Sequence, residues 1–198
     1  MTETSVTRSA AAATASALYG NSPPYLDVDN KGTPVLFPRD RSSTDVDVGY
    51  LSNLTLRAGA AASSLACGSI LAGPNSESDD YGDVAFSLGQ GDFGAGQELG
   101  ILDALGLKSR MTPESKVRRV DLSPSTRLPV YLLPPHAKRT AELASMTETL
   151  AQLRSAHCFR VEEIMEDNSM VLYIFLGQLS TPNGYSPWVG LIGIAVWS

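Results

Sequence analysis

Apolar and polar positions follow three regimes along this chain. Between His136 and Ser155 the apolar residues Leu143, Met146, Leu150 and Leu153 recur at steps of three and four, with Lys138, Arg139, Glu142, Glu148 and Arg154 elsewhere around the wheel. That period predicts an amphipathic helix over about 136–155, opened by Pro134 and Pro135. Three β-rich runs follow: Cys158 to Ile164, Met170 to Leu179 and Trp188 to Trp197. The first two are separated by the turn composition Glu166, Asp167, Asn168, Ser169, and the last two by a loop containing Asn183 and Gly184. Short polar turns favour antiparallel neighbours, so this third of the chain predicts a three-stranded meander. Met170 to Leu179 is apolar almost throughout, as in a central strand covered on both faces. Gly190 and Gly193 interrupt the last run and predict a bulge or a close approach of another chain or backbone.

Upstream the periodicity weakens. Val46 to Arg57 alternates well enough to predict a strand, and Ala58 to Gly73, built from small residues, favours helix over strand. Val84 to Leu88 is strand-like, and the stretch from Gln97 to Leu107 is helix-like. Leu128 to Leu133 predicts a strand that Pro129 confines to an edge or a strand start. Residues 1–47 combine an Ala/Ser/Thr run with Pro23, Pro24, Pro34 and Pro38, which reads as an extended N-terminal arm. A short helix over Ala10 to Leu18, closed by Gly20, would need something to pack on. The expectation is one α+β domain over 48–198, with an antiparallel sheet, one clear amphipathic helix, the C-terminal meander and the N-terminal arm.

Composition refines this picture. At 198 residues the chain is long enough to bury a core without disulfide or metal staples. Fifteen Lys and Arg against 21 Asp and Glu give a formal net charge of −6, which argues against nucleic acid as the main partner. The charges are segregated. Gly73 to Asp103 has no Lys or Arg, whereas Lys108, Arg110, Lys116, Arg118, Arg119 and Arg127 follow within a short span. A basic strand face pairing with the acidic segment, within the chain or between copies, is the expected use of this pattern. The beginning of the sequence lacks the apolar core of a secretion signal, and the most apolar stretch, Trp188 to Trp197, is too short to span a bilayer. These features predict an intracellular soluble protein, cytoplasmic or in a virion, with no membrane partner.

The candidate chemistry is sparse. Gly89, Gly91 and Gly94 match the spacing of a dinucleotide-binding turn between a strand and a helix, but Asp92 and Glu98 would place negative charge beside a phosphate. Cys67, Cys158, His136 and His157 are the only thiols and imidazoles, too few for a zinc site and not spaced as a nucleophile with its base. Asp27 to Gly32 has a calcium-loop look without the bidentate Glu such a loop needs. The sequon at Asn53 has no secretory context. No catalytic residue, metal site or cofactor follows. The leading expectation is a non-enzymatic structural subunit of a larger assembly, such as a virion shell or capsid-associated protein, its arm packing on neighbouring subunits. Partners would be further copies, as a homo-oligomer, or other subunits of the same particle. Tyr25 and Phe37 are the expected arm anchors, Arg118 and Arg119 the charged contacts, and Trp188 and Trp197 the contacts on the last strand. The alternatives are a small enzyme using the loop 89–96 for a nucleotide or phosphate ligand, and an adaptor binding a peptide at a sheet edge.

Overall fold

The three β-rich runs of the C-terminal third form a meander in the computed structural model, which describes residues 3–20, 26–37, 48–74, 76–132, 140–164, 169–181 and 184–197. Strand β5 (Leu153–Glu162) pairs antiparallel with β6 (Met170–Leu179), and β6 pairs antiparallel with β7 (Trp188–Val196). The remaining strands are β1 (Leu26–Val28), β2 (Pro34–Leu36), β3 (Val84–Gly89) and β4 (Lys116–Val120). Together they make one seven-stranded sheet in the order β1-β2-β3-β7-β6-β5-β4, antiparallel except for the parallel pair β2 and β3. Among the described residues four helices complete the α+β fold: α1 (Glu3–Tyr19), α2 (Val48–Ser64), α3 (Glu98–Ala104) and α4 (Ala141–Ala151).

Helices cover both faces. On one face Leu51, Leu54, Ala58 and Ala61 of α2 join Leu143, Met146 and Leu150 of α4 over Tyr173, Phe175, Val189 and Leu191. On the other, Ala11, Ala15 and Leu18 of α1 join Ile101 and Leu102 of α3 over Phe86, Phe159, Leu172, Ile174 and Ile192. The run in β6 therefore alternates between two cores, which is why it is apolar at successive positions. Arg57 ties α2 to α4, donating through Nη1 to the Ser145 carbonyl (3.1 Å), Ser145 Oγ (2.9 Å) and Thr149 Oγ1 (2.9 Å). Thr140 caps α4 by accepting from the Leu143 N–H at 3.1 Å.

Several elements differ from the sequence expectations, each for a physical reason. The span from 48 to 57 is helical, not extended. Leu51, Leu54, Thr55, Ala58, Ala61 and Ala62 are buried at helical spacing, a period that crosses the boundary between the two runs. The N-terminal segment, expected as an extended arm, contains α1 and the hairpin β1-β2. Thr7, Ala11, Thr14, Ala15 and Leu18 form the buried stripe of α1. This stripe is made of small residues, so its helix lies very close to its neighbours. A Cβ at Gly59 would overlap the Thr7 side chain, and one at Gly82 would lie 3.0 Å from Ala10 Cβ. Thr14 Oγ1 also donates to the Gly82 carbonyl at 2.5 Å.

The helix expected over 136–155 is described as Ala141–Ala151, with its expected opening at 134–139 outside the described residues. Positions 153–155 belong to β5, where Leu153 pairs with Leu179 and the register shifts between Arg154 and His157. Leu128 to Leu132 is not a strand. A single bridge joins Leu122 to Pro129, and Val130–Leu132 forms a 3-10 turn. Among the described residues no helix is long and apolar enough to cross a membrane.

Candidate functional site

The groups with the greatest chemical potential are held inside the fold. Cys158 is 1% exposed and Cys67 7%. Burial raises both thiols, Cys67 to about 12, with the Asp83 charge adding to the effect at both and the Asp79 charge at Cys67. A thiol that stays protonated is a poor nucleophile. His157 is buried against Trp188, their rings edge to face at 5.9 Å. Burial lowers its pKa, which favours the neutral ring, and Nε2 has no hydrogen-bond partner among the described residues. His136 lies outside the described residues.

In the sequence Asp83 stands with Asp79 and Asp80 as one of several loop carboxylates whose oxygens could take a divalent ion, yet it is the most constrained carboxylate described. It stands at the start of β3, 1% exposed. Ser69 Oγ donates to Oδ1 at 2.8 Å, the Ile70 N–H to Oδ2 at 2.6 Å and the Leu71 N–H to Oδ1 at 3.4 Å. Burial pushes its pKa up to about 6 in spite of these donors. A Cβ at Gly193 would lie 2.5 Å from Asp83 Oδ1 and 2.6 Å from Ser69 Oγ. What approaches Gly193 is a side chain and not another chain or backbone: the Asp83 carboxylate clasps the 69–72 turn against β7, whereas at Gly190 it is the Phe175 carbonyl of β6 that comes close. A cavity of about 260 Å³ lies beside it, between α1 and α2, lined by Thr7, Gly59, Cys67, Asp79 and Asp83 among others. With both Asp83 oxygens accepting from the turn and the thiol raised, this centre is a structural fastening.

The glycine loop is filled by its own chain. A Cβ at Gly91 would lie 2.5 Å from the Phe93 ring, and the Trp188 indole N–H donates to the Gly91 carbonyl at 3.0 Å. The Gly96 N–H donates to Glu98 Oε1 at 3.0 Å, so a carboxylate of the protein sits where a phosphate oxygen would be wanted. Helix α3 has only seven residues, and β3 runs antiparallel to β7, unlike the parallel arrangement of a dinucleotide fold. Asp27 to Gly32 covers the end of β1 and the turn of the β1-β2 hairpin. There Asp29 Oδ1 accepts from the N–H groups of Lys31 (2.9 Å) and Thr33 (2.8 Å). Among the described residues no group of three or more His, Cys, Asp or Glu side chains is placed to hold a metal ion.

The expected interface residues separate into core and surface. Phe37 and Trp188 are core residues, 6% and 3% exposed, because β2 and β7 are interior strands of the sheet. Tyr25 lies outside the described residues. Trp197, just past β7, is 38% exposed, and its N–H donates to the Ser169 carbonyl at 2.8 Å. Arg118 and Arg119 lie on β4, the last strand of the sheet order, which among the described residues pairs with β5 alone. The described cations of this strand are not balanced by the acidic segment before Asp103. Lys116 Nζ lies 2.8 Å from Glu163 Oε1 and Arg118 Nε 3.0 Å from Glu162 Oε2, both glutamates being supplied by the end of β5 and the residue after it. The antiparallel register places Lys116 opposite Glu162, which brings these side chains together.

Arg119 is different. It is exposed and makes no ion pair or hydrogen bond with any described residue. With Val117 it lines one wall of a groove of about 580 Å³, whose other wall is Gly96 to Gly100 at the start of α3. Leu99 there is 54% exposed. No protein-family model matches this sequence, and comparison with curated proteins finds no relative.

Proposed function

We propose that the protein is a non-enzymatic subunit of a larger protein assembly that works through binding, with the free edge of β4 as its contact. The observation that carries this reading is the placement of a cationic five-residue strand at the end of the sheet, paired on one side only among the described residues. An unpaired strand edge presents a row of backbone donors and acceptors, which is a template for another chain. The burial of both thiols and of His157, and the use of Asp83 as a fastening, support the same reading. The N-terminal segment enters it differently from the sequence expectation, since Ala11, Ala15 and Leu18 of α1 pack in the chain's own core.

The test is the size of the protein in extracts of the cells that make it, measured by native sizing with detection of this chain. Migration well above the 21.0 kDa of the single chain is expected. Migration as the free 21.0 kDa chain at native concentration overturns the assembly reading.

A further inference from the structure

Resting on that reading, we propose that the β4 edge and the groove beside α3 bind an extended segment of a different protein. The segment adds as an eighth strand, with an apolar side chain set against Val117 and Leu99 and an acidic one, two residues away, on Arg119.

Three independent features converge on this occupant. First, no described residue hydrogen-bonds to the backbone of Lys116 to Val120 apart from its β5 partner. An added strand would satisfy those groups, and main-chain pairing supplies affinity without demanding a sequence. Second, alternate side chains of an added strand fall on one face. Val117 and Arg119 stand two apart on the face that meets α3, with the groove of about 580 Å³ between them and Gly96 to Gly100. Two successive same-face positions of the incoming segment therefore meet an apolar wall and a guanidinium.

Third, the charges choose. Lys116 and Arg118 have their glutamates, and Glu98 in the opposite wall accepts from the Gly96 N–H, whereas Arg119 has no partner among the described residues. A carboxylate on the incoming strand forms the charge-assisted, bidentate contact that a guanidinium favours. A second copy is a poor occupant. Pairing β4 with β4 would crowd Lys116, Arg118 and Arg119 beside the same cations of the other copy, with Arg118 directly opposite Arg118 in the symmetric antiparallel register, which destabilises a sheet. The acidic stretch Ser76 to Asp80 is folded onto its own chain. The Glu77 N–H donates to the Val196 carbonyl (2.9 Å), and Asp79 Oδ1 accepts from the Gly68 N–H (3.0 Å).

The experiment uses the full-length protein, labelled with ¹⁵N, and short terminally blocked peptides of β-forming residues carrying Leu and Asp two positions apart. Matched peptides carry Lys in place of Asp, or N-methyl groups on alternate amides. Binding is read as amide shift changes. The expected result is saturable change confined to β4 and the start of α3, with the Asp peptide bound about tenfold more tightly than the Lys peptide, the size of one charge-assisted hydrogen bond. Arg119→Glu should reverse that preference while leaving the remaining amide spectrum in place, and N-methylation should abolish binding. No shift change in β4 with any peptide, equal binding of the Asp and Lys peptides, or unchanged binding after N-methylation each overturns the proposal. Light scattering on the purified protein covers the remaining occupant: concentration-dependent self-association abolished by Arg119→Glu assigns the edge to a second copy and overturns it also. A failure here leaves the sizing of the native extract untouched, so the assembly reading and this inference fail separately.

Discussion

Asp29 and Asp83 perform the same local task with opposite electrostatic results. Each accepts backbone N–H groups from a turn, Asp29 from Lys31 and Thr33 in the β1-β2 hairpin, Asp83 from Ile70 and Leu71. At Asp29, half-buried at the surface, burial raises the pKa but the donated hydrogen bonds outweigh it, and the carboxyl stays below its ordinary value. At Asp83 the same kind of donors fail to offset full burial, and the pKa rises to about 6. Hydrogen bonds stabilise a charge locally, but loss of solvent acts on the whole ion, so depth decides the sign. Asp29 shapes a turn, whereas Asp83 joins a turn to the middle of the sheet at the expense of holding a charge in the core.

The comparison can be broken at several points. Asp83→Ala should have the largest effect. It strands the Ser69 hydroxyl and the Ile70 and Leu71 N–H groups and opens a void, a loss of about 3–5 kcal/mol in urea unfolding. A loss under about 1 kcal/mol would show that the clasp does not hold the turn.

The two aspartates should also respond to pH with opposite signs. A raised folded-state pKa means the native protein binds the Asp83 proton more tightly than the unfolded chain does. This group's contribution therefore improves as pH falls from 7 through about 6 toward the ordinary value of 3.8. The span is of the order of 3 kcal/mol. Asp29 contributes stability above its ordinary value of 3.8, and loses it as pH falls through its lower folded-state value. Unfolding free energies from about pH 7 to pH 4, compared between the wild type and Asp83→Ala, isolate the first trend. The difference between them should widen toward acid, and a difference that narrows there would reverse the sign assigned to Asp83.

Gly193→Ala approaches the same clasp from β7. It drives a methyl group toward Asp83 Oδ1 and Ser69 Oγ and should cost about 1–3 kcal/mol, with an unchanged urea midpoint as the contrary result. Asp29→Ala is the mildest, about 1 kcal/mol by the same measurement, because water can replace the lost acceptor at a surface turn. A loss there as large as that of Asp83→Ala would erase the distinction by depth.

Legibility along the chain follows the size of the buried side chains. The meander could be read because Leu, Ile, Phe and Tyr mark its buried positions, and β6 carries them on both faces. Helices α1 and α2 pack largely through Ala, Thr, Ser and Gly beside a few leucines, so the hydrophobic pattern gave an arm with a short helix over Ala10 to Leu18 conditional on packing, and a strand up to Arg57 with helix favoured only from Ala58. Gly59 and Gly82, which admit α1 so closely, were the available signal, but a glycine does not name what approaches it. Arg118 and Arg119 could be read as neighbouring cations, although on β4 they point to opposite faces of the sheet. Their distinction could not, because Glu162 meets Arg118 only through the β4-β5 register. The groove beside Arg119 depends on where α3 lies, and Asp83 looked like one carboxylate among several until the fold buried it.

Strand β7 is the last of the seven in sequence but stands in the middle of the sheet, with Val84 of β3 opposite Ile192 and Leu172 of β6 opposite Ile194. It is the keystone between the half built from α1, β1, β2, α2 and β3 and the half built from β4, β5 and β6. During synthesis the two halves can form their local pairs early, and α2 can meet α4, but the sheet cannot close between β3 and β6 until β7 has been made. Until then β6 presents its apolar run as an open edge, the kind of surface on which partly folded chains aggregate. Folding of this protein should thus be limited by a late, long-range closure, and the interval before β7 arrives is when a chaperone would matter most.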